Sequence, residues 1–278
     1  ILLHFGAVDY ECSVWINGKS AGTHKGGYTS FSFDISELVT EGENTVVVYA
    51  EDDIQSGKQC SGKQSAQRDS YGCYYTRTTG IWQSVWLEYL PHAYIKALRM
   101  TPDAFNGSIE IEAELVQGAG AELTLTILEN GGITAQKEVC CTERLAACRF
   151  DLASPHLWSP SDPYLYDVKA VLRQGESVDT VYSYFGLRTV ECHDHKFYLN
   201  GKPIFQRLVL DQGFYPDGIY TAPSDDALIQ DIKLAKRLGF NGARLHEKVF
   251  EERYLYHADR LGYMVWGEYA SWGLDITE

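Results

Sequence analysis

Six side chains in the last quarter of the sequence, Asp211, Gln212, Arg244, His246, Trp266 and Glu268, have types suited to holding a polar ring. Two acids, an amide, a guanidinium, an imidazole and an indole offer hydrogen-bond donors, acceptors and a flat apolar face. A polyhydroxylated ring such as a sugar is bound by that mixture. Each lies at or just past the end of a short apolar run, in RLVLDQ, FNGARLH and YMVWGEY. Arg244 and Glu268 have an equal claim to a structural role, as an ion pair between adjacent strand ends. Asp52 and Asp53 open a second candidate, the polar, Gly-rich stretch DDIQSGKQCSGKQSAQRDSYGCYYTRTT. It is longer than most loops without structure of their own, and a functional strap and a plain connector fit it equally well.

The elements that must position the first group alternate in type. KFYLNGKPIF reads as a hairpin and RLVLD as a short strand. SDDALIQDIKLAKRLG reads as a helix with Ser224 as N-cap, Asp225 and Asp226 in its first turn and Gly239 past its end. Leu228, Ile232, Ala235 and Leu238 recur at helical spacing and predict its buried stripe. FNGARLH then reads as a strand, EERYLYHADRLG as a helix closed by Gly262, and YMVWGEY as a strand. A β-α-β-α-β order implies parallel strands with right-handed crossovers, either in an open doubly wound sheet or in a (β/α)8 barrel. No GxGxxG follows the first strand, so the barrel is favoured, and its active site gathers at the C-terminal strand ends. A whole barrel needs about 250 residues. The stretch from His195 onward is therefore expected to hold only the first three strands, with the chain breaking off after them.

The rest of the chain reads as β. CSVWINGKSAGTH carries Asn17-Gly18, a type I′ hairpin signal, and YTSFSFDI, NTVVVYAED and GIWQSVWLEYL add strands of a β-sandwich. Ile1 begins inside a strand-like run, so a sheet partner from an earlier segment is expected. From Pro91 a second series of strands, with another Asn-Gly at Asn130-Gly131, suits an immunoglobulin-like sandwich of about 100 residues. The expected domains are 1–90, 91–190 and 191–278.

Net charge is -14, from 24 Lys+Arg against 38 Asp+Glu, which repels nucleic-acid phosphates and anionic lipid. No run is long and apolar enough for a membrane span, and the first residues show no signal-peptide pattern. Seven cysteines without a CxxC pair suggest reduced thiols, a cytoplasmic setting and no bound metal or other cofactor. Cys192-His193-Asp194-His195 reads as a hairpin turn in preference to a metal site.

FGAVDYECSVWINGKSAGTHKGGYTSFSFDI, TTGIWQSVWLEYLP, FGLRTV, FYLNGKPI, LAKRLGFNGARLH and YHADRLGYMVWGE resemble, in order and spacing, family 2 glycoside hydrolases, the β-galactosidases, β-glucuronidases and β-mannosidases. The resemblance implies a jelly-roll sugar-binding domain, an immunoglobulin-like domain and a (β/α)8 catalytic barrel, with a β-glycoside or oligosaccharide as partner. It also implies that the strap from Asp52 and Asp53 reaches over the barrel mouth to the substrate. Arg207-Leu208 stands where the family commonly has Arg-Gly, and Leu210-Asp211-Gln212 where many members have Asn-Arg-His. ARLHEKV departs from the Arg-x-Ser-His pattern of β-galactosidases, so the sugar is left open. The family resembles retaining enzymes, in which one carboxylic acid protonates the leaving oxygen and a second attacks the anomeric carbon. Its acid/base Glu follows an Asn, and none of the 278 residues forms an Asn-Glu pair. The expectation is a glycosidase fragment lacking both catalytic glutamates and inactive alone. A carbohydrate-binding module or scaffold is the alternative. An unclosed barrel further predicts self-association into a homo-oligomer.

Overall fold

A computed structural model describes residues 1–275. The chain divides into two compact units, one made of residues 1–89, 207–258 and 263 onward, the other of residues 90–206 and 259–262.

The first unit begins with β1 (Leu2–Phe5), β2 (Val8–Asp9), β3 (Glu11–Ile16), β4 (Lys19–Lys25), β5 (Phe31–Asp34), β6 (Val46–Glu51), β7 (Gly80–Ile81) and β8 (Val85–Glu88). They form antiparallel sheets of order β5-β1-β8 and β4-β3-β6, with β2 pairing β7. Alternation along β1 and β3 turns Leu3, Phe5, Cys12, Val14 and Ile16 into one core with Ile35. Asn17 and Gly18 both take positive φ, 51° and 77°, as the two-residue turn between β3 and β4 requires. β8 shows no alternation of burial, since Val85, Trp86 and Leu87 are all exposed. Trp82, expected on the same strand, lies ahead of it and is buried, its indole N–H donating to Gly27 O at 2.7 Å.

The second unit holds β9 (Tyr94–Asp103), β10 (Ser108–Val116), β11 (Glu122–Glu129), β12 (Gly132–Cys140), β13 (Leu145–Asp151), β14 (Tyr166–Gln174) and β15 (Ser177–Phe185). One sheet has order β13-β10-β9 and the other β12-β11-β14-β15, a seven-stranded antiparallel arrangement of immunoglobulin type. Inward residues of both sheets, among them Ile109, Ile111, Leu123, Leu125, Ile127, Tyr166 and Val168, meet in a single core. A three-stranded ribbon follows, β16 (Val190–His193), β17 (Lys196–Leu199) and β18 (Lys202–Ile204). Asp194 and His195 make its first turn, so the Cys-His-Asp-His string is a hairpin, as expected.

The chain then returns to the first unit with β19 (Leu208–Asp211), α1 (Asp225–Arg237), β20 (Gly242–Leu245), α2 (Glu252–Leu261), whose last residues from Asp259 count with the second unit, and β21 (Met264–Gly267). The strands are parallel in the order β19-β20-β21, with Leu210, Arg244 and Trp266 in register. Ser224 caps α1 by accepting from Ala227 N–H, and Leu228, Ile232 and Ala235 are buried. Leu238 does not join that stripe. It is the C-cap residue, where the helical register has ended, and is 70% exposed. No helix among the described residues is long and apolar enough to cross a membrane.

Candidate functional site

Alternation on the parallel sheet separates the predicted residues into two sets. Leu210, Arg244 and Trp266 share one face and are exposed. Asp211 pairs in register with Leu245 and so belongs to the opposite face. Its carboxylate accepts from Gly213 N–H at 2.9 Å and from the Tyr254 hydroxyl of α2 at 3.3 Å. Burial, with Asp211 nearby, drives the Tyr254 phenol far above its usual range. Asp211 is thus engaged with the helix layer.

The other strand ends converge. Arg244 pairs with Glu268 through its Nε. Glu268 Oε2 stands 3.9 Å from His246 Nε2 and accepts the Glu247 N–H at 3.4 Å. His246 Nδ1 meets the Gln212 amide at 3.3 Å. Glu247, which the sequence reading passed over, is 5% exposed and accepts the Trp272 N–H at 2.9 Å. Carboxylate and imidazole atoms of His246, Glu247 and Glu268 lie within 4.8 Å of one another. Trp272 meets His246 edge-on, ring centroids 6.0 Å apart.

The strap from Asp52 is ordered onto this site. Ser61 and Gly62 N–H both donate to Trp272 O, at 2.8 and 3.1 Å, and Asp275 N–H donates to Gly57 O at 2.8 Å. Gly62 takes φ +54°, and a Cβ there would strike the Glu247 carbonyl, so glycine is required where the strap crosses the strand end. Gln64 ties the strap inward, donating to Asp9 Oδ2 at 2.7 Å and accepting Thr78 N–H at 2.8 Å. Asp52 and Asp53 stand at the base of the strap. Asp52 accepts from Gln59 and Thr79, its carboxyl raised chiefly by burial, and Asp53 N–H donates to Gln59 Oε1 at 3.1 Å.

Three ionisable groups in the strap or beside it escaped the sequence reading. Asp9 is 1% exposed, its Oδ1 has no hydrogen bond among the described residues, and burial lifts its carboxyl to about 7. Lys248 is 3% exposed. Its Nζ donates to Gly213 O at 2.6 Å and Tyr220 O at 2.8 Å, and burial lowers it to about 8. Lys63 is 4% exposed, with its Nζ 3.6 Å from the centre of the Trp272 ring. The signal for Glu247 and Lys248 was present, since both charges follow directly on the strand end at His246. Lys63 had none, because loop composition does not fix which residues turn inward.

Comparison with known proteins matches residues 1–91 to the sugar-binding domain of "Glycosyl hydrolases family 2" and residues 93–188 to a second domain described as "Glycosyl hydrolases family 2". The chain belongs to glycosyl hydrolase family 2. It is 27% identical to a β-galactosidase of Thermoanaerobacter pseudethanolicus over 98% of this chain and 37% of that protein. It is 26% identical to the β-glucuronidase of Rattus norvegicus, over 100% of this chain and 45% of that one. A crystal structure of a family 2 member from Bacteroides cellulosilyticus superposes with a TM-score of 0.80 at 25% identity, covering 96% of this chain and 37% of the other. This family 2 chain spans about a third of the length of the first curated relatives it matches, 32% and 37%.

Proposed function

We propose that the chain is the substrate-gathering part of an exo-acting, retaining β-glycosidase. In this reading residues 1–90 are a jelly-roll sugar-binding domain, 91–190 an immunoglobulin-like domain and 191–278 the opening strands of a (β/α)8 barrel. The observation that carries it is the convergence of Gln212, Arg244, His246 and Glu268 at the C-terminal ends of three parallel strands, where a barrel builds its active site. Hydroxyl groups of a β-glycoside bind the amide, imidazole and carboxylate, and Trp266 offers an exposed ring on the same sheet. Asp52, Asp53 and Asp211 act one step back, holding the strap and the helix layer. The Arg244–Glu268 pair orients the Glu268 carboxylate toward His246.

Hydrolysis with retention needs two carboxyl groups about 5 to 5.5 Å apart, one as acid and one as nucleophile. We assign neither role to residues of this chain and expect no turnover of 4-nitrophenyl β-glycosides, with methyl β-glycosides binding measurably by calorimetry. One observation favours a second reading, since Glu247 and Glu268 carry oxygens within 4.8 Å of each other. Both are engaged, Glu247 with Trp272 N–H and Glu268 with Arg244, and they come from adjacent strand ends on one side of the site. Robust hydrolysis abolished by both Glu247→Gln and Glu268→Gln would replace the first reading with the second.

A further inference from the structure

Two lysines are buried in the first unit, and they are satisfied unequally. Lys248 spends its ammonium on two backbone carbonyls and lies 5.0 Å from the Trp82 ring centre. Lys63, just as buried, has one polar partner among the described residues, the Cys73 sulfur at 3.5 Å, a weak acceptor. No carboxylate of the described residues lies within ion-pair distance of it. An ammonium withdrawn from water needs acceptors or a counter-ion, and an indole face answers only part of that need. Cys73 is exposed, so the ammonium sits one residue beneath the surface. Tyr74 and Trp272 flank it with ring centroids 5.5 Å apart and planes inclined at 54°, an angled pair of faces that suits the C–H groups of a pyranose.

We propose that Lys63, Tyr74 and Trp272 form a subsite for an acidic saccharide, whose carboxylate takes the place of the thiol on Lys63 while its ring lies against the two aromatic side chains. The subsite rests on the carbohydrate reading above and adds to it a preference for a charged sugar. At a net charge of -14 the chain repels anions in general, so such a preference has a local source.

Calorimetric titration of the chain with methyl β-D-glucuronide and methyl β-D-glucoside isolates the carboxylate, the one group by which they differ. The glucuronide is expected to bind about tenfold more tightly or better. Lys63→Met should abolish that preference, and Lys63→Arg should restore most of it. A second measurement needs no variant: glucuronide should slow alkylation of Cys73 by iodoacetamide and glucoside should not, with the exposed Cys140 and Cys192 as internal controls. Equal affinity for the two glycosides, or a preference that survives Lys63→Met, overturns the subsite and leaves the carbohydrate reading standing. Binding of neither glycoside overturns both.

Discussion

The immunoglobulin-like sandwich and the strap-covered end of the parallel sheet bury their residues to different ends. In the sandwich the buried set is aliphatic and aromatic almost throughout, and its buried acid, Asp179, is answered by the Ile95 N–H at 2.8 Å. In the strap or beside it lie Asp9, Gln59, Lys63, Gln64, Glu247 and Lys248, all buried, with Asp9 Oδ1 left without a hydrogen bond among the described residues. Apolar burial is where a domain gains free energy, and unanswered polar burial is where it spends some. The difference teaches that the sandwich buries its residues for stability, whereas the strap region keeps charged and polar groups out of water at a cost, which is what the proposed binding role would require.

The sharpest separation of the two comes from the sandwich core. Leu125→Ala, at a fully buried position, should cost about 2 to 5 kcal/mol in urea unfolding while leaving glycoside affinity unchanged. A loss of binding in parallel with stability would erase the distinction. Asp9 gives the next effect, through pH. Its carboxyl titrates near 7 when folded against an ordinary 3.8, so the folded state retains a proton that the unfolded chain has released. Its stabilising contribution is full below about pH 4 and is lost as pH rises through about 7. Asp9→Asn should flatten that fall in a series of melting curves.

Lys248 has the opposite sign. Folding lowers it from 10.5 to about 8, so stability rises as pH climbs from about 8 toward 10.5. Lys248→Met should remove this rise and, by leaving two buried carbonyls unpaired, cost about 1 to 3 kcal/mol at neutral pH in denaturant titration. The smallest change in stability belongs to Glu268→Gln. Arg244 is half exposed, so the melting free energy should move by less than about 1 kcal/mol. Glycoside affinity measured on the same sample should fall. Equal and large losses of both would make the pair a structural tie.

Sequence pattern carried the framework well where periodicity and turn chemistry agree. The Ser224 cap, the Asn-Gly turns and the parallel order of the last three strands were all legible, because each depends on local geometry. Leu238 misled because helical spacing continues in the sequence past the point where the helix stops. Within the site, His246, Gln212, Arg244 and Glu268 were found from their positions at strand ends. The division of Asp211 from Arg244 required the strand register, which a one-residue shift inverts. Lys63, Asp9 and Trp272 were illegible for a different reason: they meet through the strap, across sequence separations that no local rule spans.

The five Asn-Gly steps also set how the molecule ages. Succinimide formation needs the asparagine carboxamide free to meet the next backbone nitrogen. Asn17 is held by Leu38, Asn44 and Thr45, Asn106 by Asp103, Asn200 by Trp158 and Thr189, and Asn241 by the Arg207 N–H. Asn130 sits exposed at the β11–β12 turn with no side-chain bond among the described residues. On storage at alkaline pH, isoaspartate should accumulate there first, making an already acidic protein more acidic at one corner of its immunoglobulin-like sandwich.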